Sequence, residues 1–154
     1  MKIGVCYDLR SDYLALGYSQ EATAEFDCEE TIAAVCTALA GLGHLPERIG
    51  GIRPLTAALV AGRRWDAVFN ICEGLKGVAR EAQVPALLEA FDLPYVFSDP
   101  LTLALTLDKA MCKRVARDAG VPTADFAVIA SEADIGHIAM PFPQLEVRML
   151  GKAV

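Results

Sequence analysis

The sequence predicts an α/β fold, a mostly parallel sheet with helices on both faces. Two observations carry that expectation. Short apolar runs such as "KIGVCYD" (residues 2–8) and "WDAVFNICE" (residues 65–73) have the length and β-former content of strands buried in a sheet. Between and after them lie segments with apolar residues at helical spacing, as at Ile32, Val35, Cys36 and Leu39. Strands that alternate with helices imply βαβ crossovers, and therefore parallel neighbours.

The elements follow in order. After "KIGVCYD" the first helix is marked by Asp27 with Glu30 three residues on, an approximate capping box. Glu25, Asp27, Glu29 and Glu30 stand near the positive end of its dipole, and Gly41 and Gly43 end it. A weak strand over Glu47–Ile52 leads to a short helix opened by Pro54 and closed near Gly62. "WDAVFNICE" is the clearest strand. A charged, glycine-bearing loop follows, then a helix with Val84, Leu87, Leu88 and Phe91 on one face and Pro85 in its first turn. "LPYVFS" reads as another strand. Asp99-Pro100 supplies an N-cap with proline at the first helical position, and the helical region continues, with a break near Asp108, to Ala119 and Gly120. "GVPT" is a turn signal, and "DFAVIA" a last short strand.

The 154 residues are 54% hydrophobic, enough for one ordinary core, and no internal repeat or low-complexity linker divides them. A net charge of −6 and a pI near 4.9 leave no basic footprint for nucleic acid or an anionic membrane. The first apolar run ends at Asp8, too soon for the core of a signal peptide, and the longest uncharged stretch, Thr31–Pro46, is interrupted by Thr, Gly and His. A soluble cytoplasmic protein is expected. The five cysteines, Cys6, Cys28, Cys36, Cys72 and Cys112, show no metal-ligand spacing, so neither a disulfide framework nor a zinc site is expected; most read as small buried apolar residues.

In a doubly wound sheet, ligands gather outside the carboxyl ends of the strands. Glu73 leaves "WDAVFNICE" at that edge. The chain has no GxGxxG after its first strand and no GxxxxGK[ST], so neither the usual dinucleotide fingerprint nor a P-loop is present. His44 and His137 lack companion motifs and read as solvated residues of surface connections. Other residues are open to bland readings. Glu25 could only match the helix dipole, Glu73 could be a solvated loop residue or a cap, and Arg80 and Glu81 could be a surface pair. Lys109, with Lys113, Arg114 and Arg117 on the following turns, could be a solvated helix face.

A succession of motifs narrows these alternatives: a strand ending in "FNICEG", a ten-residue step from Glu73 to Gln83, "LLEAFDLPYVFSDPLTLALTLDK", and "AGVPT". In that order and spacing, from Val68 to Phe126, they resemble the N-terminal portion of the D-alanine–D-alanine ligases and their ATP-grasp relatives. The resemblance implies a Rossmann-like (pre-ATP-grasp) N-terminal domain over residues 1–122. Residues 123–154 would be the remnant or beginning of the ATP-grasp central domain. It further implies that Glu25 holds the amino group of the first substrate as a catalytic residue, that Glu73 and Gly74 border the substrate pocket, and that Lys109 contacts nucleotide phosphate. Many members have His where this chain has Glu73, so D-alanine itself does not follow as the substrate.

Family chemistry activates a carboxylate as an acyl phosphate with ATP and Mg2+, then joins it to an amine. Its phosphate loop, second lysine and metal ligands come from central and C-terminal domains. The ending "FPQLEVRMLGKAV" has two sides of the family's next motif without its lysine and glycine-rich loop, and Arg148 is not assigned the lysine's role. The resemblance therefore implies a chain incomplete for catalysis that binds ATP weakly and relies on the missing domains in cis or in trans. A small amino-acid-like substrate and a homodimer are the expected partners. The alternative is a non-catalytic Rossmann-like module, derived from such a ligase, that binds a small ligand or only dimerises.

Overall fold

The computed structural model describes residues 1–129 and 131–135. Strands β1 (Lys2–Tyr7), β2 (Leu45–Arg48) and β3 (Ala67–Ile71) form one parallel sheet in the order β2-β1-β3. The register sets Val5 beside Arg48 on one side and Phe69 on the other, with Cys6 beside Asn70. Alternation along the strands then divides the core. On one face Cys6, Val68 and Cys72 pack with Leu55, Ala58 and Leu59 of α3 (Ile52–Val60) and with Val84 and Leu88 of α4 (Gln83–Ala90). Ile3 and Val5 point to the other face, the side of α2 (Glu29–Gly41), which packs along β2 and buries Ile32 completely. The expected α/β, Rossmann-like arrangement with helices on both faces is the one found.

Trp65 stands just ahead of β3, 4% exposed, and covers Gly4 of β1. A Cβ on Gly4 would lie 2.5 Å from Ile49 and 3.1 Å from the Trp65 ring, so only glycine leaves room for both side chains.

Several elements differ from the sequence reading. A short helix, α1 (Arg10–Ala15), follows β1 where none is expected; it buries no residue, so no apolar stripe announces it. Asp27 does not cap α2. The N-cap is Cys28, in extended conformation, and Asp27 instead donates its N–H to the Asp8 carbonyl and forms a parallel bridge to Leu9. β2 begins two residues earlier than expected and ends before Ile49. "LPYVFS" is not a strand: among the described residues its only sheet contact is a bridge at Val68 and Tyr95, made by Val68 N–H to Pro94 O (2.8 Å) and Val96 N–H to Val68 O (3.0 Å). Phe97, at φ 77°, then turns the chain away. Residues 125–129 of "DFAVIA" form no strand. The cysteine reading holds for Cys6 and Cys72, which are buried, whereas Cys28 is exposed and Cys36 and Cys112 are half-buried; all five are free.

The chain divides into two compact units, Met1–Ala104 and a second beginning at Leu105. α5 (Pro100–Leu107) starts as expected, with Asp99 accepting from Thr102 N–H at 2.9 Å and Pro100 in the first position. The break at Asp108 is present too. Its side chain accepts from Met111 N–H at 2.9 Å and opens α6 (Lys109–Asp118), which ends before Gly120 at φ 74°. In the second unit Phe126 lies under Lys113 and Arg117, and α7 (Glu132–Ile135) is a single turn. His137 and Arg148 lie outside the described residues. Among the described residues, no helix is long and apolar enough to cross a membrane.

Leu88 is fully buried at the centre of the larger core. Leu88→Ala is expected to destabilise the fold by about 2–5 kcal/mol in urea denaturation. Val60→Ala, at a side chain 77% exposed on the far side of α3, should change it by no more than about 0.5 kcal/mol.

Candidate functional site

β1 delivers Asp8 to the carboxyl edge, where it is only 3% exposed. A buried carboxylate needs hydrogen bonds in place of water. Asp8 has two: the Tyr13 hydroxyl donates to Oδ1 at 2.5 Å, and the Gly74 N–H donates to Oδ2 at 2.9 Å. Tyr13 is carried by α1, which gives that otherwise unburied helix its purpose, and its ring rests on Phe26 at a centroid distance of 4.5 Å. Burial pushes the Tyr13 hydroxyl far above its ordinary pKa, reinforced by the hydrogen bond to Asp8, so it remains a donor. The loop after β2 closes over the same carboxylate. A Cβ on Gly51 would sit 2.5 Å from Asp8 Oδ1.

Gly74 belongs to the loop after β3. It holds φ 69°, in the left-handed region, and a Cβ there would lie 2.6 Å from the Arg80 carbonyl oxygen. The loop is thus folded tightly on itself, and it presents the Arg80 guanidinium to Glu25, with which it forms an ion pair. Arg80 also reaches Glu81 at 3.8 Å. Glu73 lies in the same field. Partial burial raises its pKa above the ordinary value, Glu81 and Glu25 raise it further, and Arg80 opposes them. Asp27 is raised as well, by burial and then by Asp8. The edge gathers several carboxylates around one guanidinium, an excess of negative charge that favours a cationic group.

Two cavities open here. One, of about 470 Å³, is lined by Asp8, Tyr13, Gly51, Gly74 and Arg80 among others. The other, of about 490 Å³, runs along β3 from Phe69 to Glu73, with Asp27 and Glu81 at the same end as Glu73. Cys72 lines both; a hydrogen bond with Cys6 and burial raise the pKa of its thiol strongly, so it stays protonated and poorly nucleophilic.

Of the residues singled out in the sequence, Glu25, Glu73 and Gly74 come together around Arg80. Arg80, one of two residues readable as a surface pair, is the cation that links them; its side chain is 18% exposed. Lys109 is the first residue of α6 in the second unit. Asp8 and Tyr13 escaped the sequence reading. Asp8 had a signal, since like Glu73 it is a carboxylate set where an apolar strand ends; Tyr13, in a helix without an apolar stripe, had none.

The fold and its acidic carboxyl edge define a Rossmann-like α/β domain with its polar groups collected at one end of the sheet. Comparison with known proteins supplies the family, although no family model matches the chain. The D-alanine–D-alanine ligase B of Xanthomonas campestris pv. campestris is 35% identical over 118 residues, 77% of this chain and 37% of its own. The D-alanine–D-alanine ligase of Xanthomonas axonopodis pv. citri is 38% identical over 68% of this chain and 32% of its own length, and that of Moorella thermoacetica 43% identical over 61% and 29%. The chain is related to the D-alanine–D-alanine ligases and resembles their N-terminal portion. It spans about a third of the length of these curated relatives.

Removing the Asp8 carboxylate leaves a half-buried N–H and a half-buried hydroxyl without these partners. Asp8→Ala is expected to cost about 2–5 kcal/mol, and Tyr13→Phe about 1–3 kcal/mol, in urea denaturation. Asp8→Asn should be milder, because its amide can accept from Gly74 and donate to the Tyr13 oxygen.

Glu73 has a pH signature of opposite sign to an ordinary paired carboxylate. Its folded pKa exceeds its unfolded one, so the folded chain holds the extra proton and stability falls as pH rises through that window. Glu73→Gln should therefore flatten the loss of stability between mildly acidic and neutral pH, as measured by melting across that range.

Proposed function

We propose that this chain is the substrate-side N-terminal domain of an ATP-dependent carboxylate–amine ligase of the D-alanine–D-alanine ligase kind, proceeding through an acyl phosphate. The observation that carries the reading is the meeting of Glu25 and Glu73, from distant stretches of the chain, beside Arg80 at the carboxyl edge. An amino acid offers an ammonium group to those carboxylates, and its arrival relieves the repulsion that raises Glu73. Arg80 can then turn one donor edge to a substrate carboxylate without leaving Glu25 uncompensated. In this reading Asp8 and Tyr13 are positioning residues. They fix the Gly74 turn from which Glu73 and Arg80 project.

ATP and Mg2+ belong to the whole ligase in this proposal, and Lys109 is the residue here that would contact nucleotide phosphate. The N-terminus of α6 is a poor fit for phosphate, because Asp108 occupies it with a carboxylate bonded to Met111 N–H. Among the described residues no group of three or more His, Cys, Asp or Glu is arranged to hold a metal ion. Apart from Lys109, we place the nucleotide site on ligase domains other than residues 1–122, and read residues 123–154 as the remnant or beginning of the central one. A cytoplasmic homodimer completes the proposal, supported by exposed apolar side chains such as Leu42, Leu45 and Leu101.

Titration with D-alanine and L-alanine, followed by NMR at the Gly74 amide and the Arg80 guanidinium, tests the substrate role. Saturable shifts are expected with at least one of them, weakened about tenfold by Glu25→Gln or Glu73→Gln. Absence of shifts at both groups with either amino acid overturns it. Calorimetry with Mg-ATP should give little or no saturable heat; tight binding that Lys109→Ala removes would move the nucleotide site onto this chain.

A further inference from the structure

Among the described residues, the outer edge of β3 is open for one residue. Val68 turns its N–H outward to the Pro94 carbonyl and its C=O to the Val96 N–H, and the parity of a strand turns those of Asn70 the same way. Phe97 has by then taken the chain off the edge, its φ of 77° directing the backbone away while its ring packs on Phe69 at 5.2 Å. Among the described residues neither backbone group of Asn70 has a hydrogen-bond partner beyond that edge. The next outward N–H, that of Cys72, is satisfied by Asn70's own Oδ1 at 3.3 Å. Asn70 is 6% exposed, and its Nδ2 has no partner among the described residues.

Beside this gap runs the 490 Å³ cavity. Phe69, Phe97 and Leu103 give it apolar walls, and Asp27, Glu73 and Glu81 an acidic end. We infer that this slot binds a short extended peptide with a free amino terminus, which pairs with Asn70 and sets its ammonium group among the carboxylates. The charge fixes the direction. The acidic end lies at the carboxyl end of β3, so a ligand with its amino terminus there runs antiparallel to β3. Only an antiparallel neighbour lets one residue exchange both hydrogen bonds with Asn70. The distance sets the size. From Asn70 to Glu73 a strand rises about 10 Å, room for a dipeptide and little more. The cavity suits small or apolar side chains.

The inference stands on the open edge and does not require the ligase reading. It is tested with alanyl-alanine, its N-acetylated form and free alanine, by hydrogen exchange and NMR on the 154-residue chain. Alanyl-alanine is expected to slow exchange of the Asn70 amide; the acetylated form should bind at least about tenfold more weakly, and Glu73→Gln should reduce that preference. Unchanged exchange at Asn70 with saturating dipeptide, equal binding of the acetylated form, or an Asn70 amide already protected in the free chain by another of its segments would each overturn it. Free alanine separates the two proposals. Shifts at Gly74 and Arg80 without a dipeptide effect at Asn70 leave the substrate role standing and remove the slot.

Discussion

The carboxyl edge of this sheet depends on one buried carboxyl group. Asp8 is taken out of water at the end of β1 and is made tolerable by a hydroxyl from α1 and an amide from the loop after β3. Each partner is thereby fixed in place. α1 has no buried residue and is tied to the edge through Tyr13; the Gly74 loop has no regular structure and is tied to it by the Gly74 N–H, with Gln83 Nε2 donating to the Lys76 carbonyl at 2.9 Å within it. The loop after β2 comes within reach only because Gly51 has no side chain. A buried, doubly bonded carboxylate is thus the fastener by which three separate connections become one surface.

From that fastening follows the electrostatics. Once Gly74 is fixed, the loop can go only where its left-handed turn sends it, and Arg80 arrives beside Glu25. Glu73 is left partly buried among carboxylates with a guanidinium already engaged, so its charge is poorly compensated. Such a surface is unfavourable by itself and becomes favourable when a cation arrives. The same edge offers a ligand a field that seeks an ammonium group and, among the described residues, a strand without a neighbour at Asn70.

Much of this was legible in the sequence. The strands β1 and β3 and the helical stripes were readable because burial on both faces of a sheet leaves long apolar runs, and the caps at Asp99 and Asp108 because they are local chemistry. What was not legible depended on contacts distant in sequence. "LPYVFS" has the composition of a strand, yet its pairing is cut to one bridge by a left-handed Phe97 that propensity disfavours. Asp27 has the side chain of a cap but is drawn into a bridge with Leu9. The site was half visible: the ordered motifs led to Glu25, Glu73 and Gly74, whereas Arg80 carried an ordinary surface reading until the loop was folded. Tyr13 acts through a single hydroxyl, and no pattern of neighbours predicts that.

Gly74 also bears on how variation in this protein would be interpreted. Any side chain at that position meets the Arg80 carbonyl, displaces the loop, and so disturbs Glu25 and Asp8 together. A saturation-mutagenesis scan would rank it with the most sensitive positions of the pocket. That sensitivity would come from a turn with no room for a methyl group, and a scan scored by fitness alone would not separate this steric intolerance from chemistry at the ligand.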